Sequence, residues 1–138
     1  MGKDYLGQLS AAHMSVLDVV DRIQPLLRSY PEARPRLREL SERLLVLFSS
    51  EDQDFFNTLY TFYKEDRPST KMIDFLHHDF KEVKINYLTF FDKHLMDMSN
   101  THAHAFPKDF SAFADMLAGR VKIEQEYLFP LLQKMASG

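Results

Sequence analysis

Residues 106–135 read FPKDFSAFADMLAGRVKIEQEYLFPLLQKM, and this stretch decides the fold class. Its apolar residues recur at three- and four-residue steps, as on one buried face of a long helix; they are Phe106, Phe110, Phe113, Leu117, Val121, Leu128 and Leu131. Glu124 falls on the same face, and Arg120 lies one turn before it. Because burying an unpaired charge is costly, the pattern predicts a partner for Glu124 inside the core.

Composition predicts one all-α domain over residues 1–138. The chain of 138 residues is long enough for one domain with a core and too short for two of ordinary size. Glycine occurs only 4 times, tryptophan is absent and phenylalanine occurs 12 times, while no Asn-Gly or Asp-Gly hairpin signal is found.

Charge and cysteine content exclude several function classes. The 17 basic and 20 acidic residues are spread along the chain and form no basic stripe for phosphates, so nucleic-acid binding is not expected. Without cysteine, disulfides and thiolate metal sites are excluded. No apolar run is long enough to span a bilayer, and the first residues lack the apolar core of a signal peptide. We therefore expect a cytoplasmic protein that binds no membrane.

Apolar periodicity predicts four helices, at about residues 4–29, 36–65, 71–98 and 107–135. The first two segments between them contain proline, Pro107 lies at the start of the fourth helix, and Ser69 or Thr70 is expected to cap the third. Short loops join antiparallel neighbours, so the sequence predicts an up-down-up-down four-helix bundle.

Further polar residues interrupt the apolar stripes. The second helix has apolar residues at helical spacing from Leu37 to Phe62, and Glu51 occupies the missing middle step, with Asp54 one turn on. The other candidates are histidines: His13 on the stripe of the first helix, and His78 at the edge of the third, one turn after Asp74. His77 and His94 are expected to be half-exposed packing residues.

Two interpretations of these residues remain open. Histidine and carboxylate ligands from facing helices build the metal sites of bundles, so His13, Glu51 or Asp54, His78 and Glu124 could converge on iron or zinc. The structural alternative makes Arg120 and Glu124, four residues apart, a polar pair in the core. No nucleophile motif, phosphate loop or nucleotide fingerprint occurs, and an enzyme is not expected.

The segment Glu124-Gln-Glu-Tyr-Leu-Phe-Pro-Leu-Leu132 resembles the Glu-x-x-x-Leu-Phe-Pro-Leu-Leu ending of the hemerythrin-like family. That family has the same up-down bundle around a di-iron site. His13 and His78 resemble two of its histidine ligands. The resemblance therefore implies a hemerythrin-like fold over most of the chain.

Three imidazoles that the family would supply are replaced here. Arg120 stands where the last helix of the family has a histidine four residues before its glutamate, Ser50 stands before Asp54, and Asp74 stands before His78. A guanidinium only donates hydrogen bonds and keeps its charge, so it cannot ligate a metal. The resemblance then implies a degenerate site in which Arg120 substitutes for the metal's charge, paired with Glu124 and with Glu51 or Asp54.

A second resemblance is to the anti-sigma-factor family typified by Rsd and AlgQ. Its last helix is similar in placing an arginine four residues before a glutamate, as Arg120 and Glu124 do, and its aromatic pair before an aspartate resembles Phe90-Phe91-Asp92. It implies a metal-free bundle that docks a protein partner on an exposed helix face. We therefore expect a non-catalytic regulatory or binding protein with no cofactor; the alternative is an iron- or zinc-binding sensor or carrier.

Overall fold

Helices form most of the described structure, a computed structural model of residues 4–96 and 102–137, and no strand occurs in those ranges. The α-helices are α1 (Tyr5–Ile23), α2 (Tyr30–Ser50), α3 (Gln53–Phe62), α4 (Arg67–Phe91), α5 (Phe106–Ile123) and α6 (Phe129–Ser137). Short 3-10 turns lie at Gln24–Leu26 and Ala103–Ala105, and π-helical turns lie at Asp92–Met96 and Glu124–Leu128. Since α2 with α3, and α5 with α6, each follow one another almost directly, the arrangement is consistent with a four-helix bundle.

Prolines move several helix boundaries from their predicted positions. The first helix ends at Ile23 rather than near residue 29, because Pro25 has no amide hydrogen to continue the ladder. Pro31 and Pro68 lie in the first turns of α2 and α4, where an amide has no helical acceptor, so both helices begin earlier than expected. The predicted cap at Ser69 or Thr70 is wrong, because Asp66 holds that position. The predicted end of the third helix, residues 97–98, lies outside the described residues.

The predicted second helix is broken in two at Glu51. Asp52 caps the new helix α3, its carboxylate accepting a hydrogen bond of 2.9 Å from the Phe55 amide. Phe55 in the first turn of α3 is buried, whereas Phe62, expected in the core, is the last residue of that helix and is 43% exposed.

The stripes of the third and fourth predicted helices are buried as expected. On α4 the apolar residues at three- and four-residue steps are all buried: Ile73, Leu76, Phe80, Val83, Tyr87 and Phe90. Phe90 stacks on Phe113 of α5 with ring centroids 4.4 Å apart. Leu131 is the one member of the last stripe that is only half-buried.

Each of the longer helices packs against several others. Helix α1 contacts α2, α5 and α6, and α4 contacts α3 and α5. None of the helices described is long and apolar enough to cross a membrane.

Candidate functional site

Five polar side chains from different parts of the chain meet in the core, and we call them the charge cluster. His13 comes from α1, Glu51 from the break between α2 and α3, Asp79 from α4, Arg120 from α5, and Glu124 from the π-helical turn. Glu124 is fully buried and Arg120 is 4% exposed, while the side chain of Asp79 is 31% exposed. The cluster therefore lies inside the protein and reaches the surface at Asp79.

Arg120 holds the cluster together. Its Nη2 atom donates a hydrogen bond of 3.0 Å to a carboxyl oxygen of Glu51. The same atom lies 2.9 Å from Oε2 of Glu124, where the two groups form an ion pair but are not aligned for a hydrogen bond. Its Nη1 atom donates to Asp79 over 2.8 Å and to the Leu76 carbonyl over 3.2 Å. Burial disfavours the charged guanidinium, but Glu124 and Glu51 outweigh burial and raise the pKa of Arg120. One cation thus lies between two buried acids.

His13 contacts the opposite oxygen of Glu124. Its Nε2 hydrogen-bonds to Glu124 Oε1, and its ring stacks on Phe129 with centroids 5.4 Å apart. Burial lowers the pKa of His13 below 6.5, so the ring is neutral. The proton is therefore on Nε2, which donates to the carboxylate, and Nδ1 has no partner.

Glu51 is the acid of the cluster whose protonated form its surroundings favour. Burial first, and the nearby charge of Glu124 second, raise the pKa of Glu51 well above 4.5. Two carboxylates held close together in a buried site do not both ionise readily, so the charge of Glu124 favours the protonated form of Glu51. Arg120 favours the ionised form of Glu51, but burial and the charge of Glu124 outweigh this effect.

Glu51→Gln tests this protonation state. A raised pKa means that the folded chain keeps a proton that the unfolded chain loses, so the free energy of unfolding should fall as pH rises from about 4.5 through the raised pKa. The lowered pKa of His13 acts in the opposite direction, but only below 6.5. Between pH 6.5 and the raised pKa of Glu51 the wild type should lose up to about 1.4 kcal/mol per pH unit, and Glu51→Gln should remove the loss.

Urea unfolding between about pH 5 and about pH 9 measures the slope. The exposed Glu126, in the same π-helical turn as Glu124, provides the control Glu126→Gln, which should keep the wild-type slope. A Glu51→Gln variant that loses stability with pH as steeply as the wild type would show that Glu51 is ionised when folded.

Asp54 and His78 do not join the other candidates, and both expectations are corrected. Asp54 is exposed on α3, because the helix break at Glu51 turns it away from the core. His78 is exposed on α4, two residues past the buried Leu76 and therefore on the far side of the helix. Asp74 accepts a hydrogen bond from Tyr60.

Asp79 was missed by the sequence reasoning. It lies beside the buried Phe80 at the edge of the α4 stripe, and this position is only a weak sign of a role in the core. The sequence around Asp79 does not predict the hydrogen bond that it accepts from Arg120.

The other histidines on α4 and the turn after it also take defined places. His77 is half-buried, as expected, and stacks on Phe56 with centroids 4.2 Å apart. His94, expected to be half-exposed, is only 2% exposed and its Nε2 lies 2.7 Å from Asp109. Burial lowers the pKa of His94 even though Asp109 favours its charged form.

The ligand types for a metal meet in the charge cluster, but Arg120 lies among them. Within residues 4–96 and 102–137, no three histidine, aspartate or glutamate side chains are arranged to hold a metal ion. Comparisons with protein-family models, with curated proteins and with solved structures find no match to this chain, so interpretation of the site rests on its geometry.

Proposed function

We propose that this chain is a non-catalytic regulatory or binding protein, a hemerythrin-like up-down-up-down bundle with a degenerate metal site, and that it acts by docking a protein partner. The observation that carries the proposal is the position of Arg120, whose Nη2 atom contacts both Glu51 and Glu124. The guanidinium supplies the positive charge that a metal would supply between two acids.

The chemistry of that cation supports a structural rather than a catalytic centre. A guanidinium keeps its proton, has no open coordination position and only donates hydrogen bonds. His13, Glu51, Arg120 and Glu124 are all at most 4% exposed, so a substrate would have no direct access to them. Docking is supported instead by large apolar side chains at the surface, including Phe62 and Leu88, which is 64% exposed.

One observation favours the alternative of an iron- or zinc-binding sensor or carrier. His13, Glu51 and Glu124 do meet, and these residue types are acceptable ligands for both metals. Metal binding would require Arg120 to leave its position between the two acids.

Metal analysis and an absorption spectrum in air, on protein without a histidine tag, separate the two functions. We expect a colourless protein with far less than about one metal ion per chain. About one or two irons per chain with a visible charge-transfer band, removed by Glu124→Ala, would contradict the proposal and support the alternative.

Arg120→His tests whether the site is a metal site that lost a ligand. The change removes the fixed cation and adds an imidazole beside Glu51 and Glu124, so the variant should gain iron or zinc to about one ion per chain. Arg43→His, at a half-exposed arginine of α2 that pairs with Glu39, is the control and should gain none. If Arg120→His folds, by circular dichroism, and still binds no metal, the hemerythrin-like interpretation of the site fails.

A further inference from the structure

A surface groove of about 950 Å³ lies where α3, α6 and the start of α1 meet. Helix α3 contributes one face, from Asp54 to Phe62, at three- and four-residue steps, and α6 contributes Leu132 and Met135. The groove shares no described residue with the charge cluster. We call it the α3/α6 groove.

The lining of the α3/α6 groove is apolar with acidic groups among it. Leu6, Phe62 and Met135 are apolar members, and Phe62 is 43% exposed. Asp4 and Asp54 are the charged members, and none of the described residues that line the groove is lysine or arginine. Such a surface matches a ligand that is both apolar and cationic.

We propose that the α3/α6 groove binds an amphipathic helix of a partner protein, with the apolar face of that helix against Phe62 and its lysine or arginine residues near Asp4 and Asp54. This inference rests on the proposed function, since it names the chemistry of the partner that the bundle docks.

The shape of the groove favours a helix over a small molecule. Its α3 wall follows nine residues, which at 1.5 Å per residue is about 13 Å, or about two and a half turns of a docked helix. Helices bind grooves through side chains spaced by three, four and seven residues, and such a wall accommodates two or three of them. Small-molecule sites enclose most of the ligand, whereas this groove lies at the surface, and Asp54, Asn57, Thr58 and Thr61 of its lining are exposed.

The probe is a fluorescein-labelled peptide of about 14 residues, leucine on one face and lysine on the other, compared with the same peptide carrying glutamate for lysine. Fluorescence anisotropy should show that the lysine peptide binds and the glutamate peptide does not. Phe62→Ala should weaken binding at least about 10-fold, since it removes the exposed aromatic anchor. Asp54→Asn should weaken it a few-fold and reduce its dependence on salt.

Matched controls exist on other faces of the molecule. Phe75 on α4 is 48% exposed and lies outside the groove, so Phe75→Ala should leave binding unchanged. Asp115→Asn, at an exposed aspartate of α5, is the control for Asp54→Asn and should also leave peptide binding unchanged. Because the chain has no cysteine, a solvent-sensitive dye attached to the cysteine of Thr61→Cys is the only label on the protein and reports binding in the groove. The same dye attached to Ala118→Cys, outside the groove, is the reference.

Three results would overturn the inference: no binding of the lysine peptide, equal binding of the glutamate peptide, or equal losses from Phe62→Ala and Phe75→Ala. Binding of dodecyltrimethylammonium at Thr61→Cys without binding of the peptide would assign the groove to small cationic amphiphiles and would also overturn it. Metal content is measured on the same preparations. If the protein is metal-free and does not bind the lysine peptide, only the inference about the groove is contradicted. If the protein contains metal, the proposed function is contradicted whether or not the peptide binds.

Discussion

Arg120→Ala is expected to lower the free energy of unfolding by about 3–5 kcal/mol, because breaking a buried ion pair leaves a charge uncompensated in the core. The guanidinium is the cation that faces Glu124 at 2.9 Å, Glu51 at 3.0 Å and Asp79 at 2.8 Å. The loss should be smaller at acid pH, where protons on these carboxyl groups replace its charge. Urea unfolding followed by circular dichroism measures it.

Arg22→Ala is the matched control. Arg22 and Asp18 form a pair four residues apart whose side chains are 48% and 50% exposed. Pairs of that kind contribute about 0–1 kcal/mol, so this control should change little. If Arg120→Ala also costs less than about 1 kcal/mol, the guanidinium does not neutralise the buried acids.

Replacing the whole buried part of the charge cluster with apolar residues is expected to have the opposite result. The variant with His13→Leu, Glu51→Met, Arg120→Met and Glu124→Met should be as stable as the wild type or up to about 4 kcal/mol more stable. The free energy needed to remove charges from water is only partly offset by the attraction between them in the core. Methionine is flexible and can fill the space that the polar side chains leave. Asp79 remains at the edge, where water can solvate it.

The four-residue variant separates stability from function. Because the α3/α6 groove shares no described residue with the charge cluster, binding of the lysine peptide should persist. A variant less stable than the wild type by more than about 2 kcal/mol would show that the ion pairs, and not the volume they fill, hold the helices together. Loss of peptide binding with stability intact would link the cluster to the docking surface.

Glu51 and Asp54 show where sequence reasoning reaches its limit. A continuous helix from residue 36 to residue 65 put both near the core, since Glu51 occupied the missing middle step of the apolar stripe and Asp54 lay one turn on. Asp52 is a good helix N-cap, and the chain begins a new helix there instead of continuing the old one. That choice buries Glu51 and exposes Asp54 and Phe62, which changes an expected ligand and an expected core residue into members of a surface groove.

The sequence by itself determined the all-helical class, the buried faces of α4 and α5, and the presence of Arg120 and Glu124 on a core face. These are local properties, because apolar spacing along one helix sets which side is buried. Only the tertiary structure decided that Arg120 reaches Asp79 of α4 and that His13 meets Glu124 while His78 stays outside. The physical reason is that periodicity defines the face of a helix but not how far it has slid along its neighbours, and contacts between side chains depend on that register.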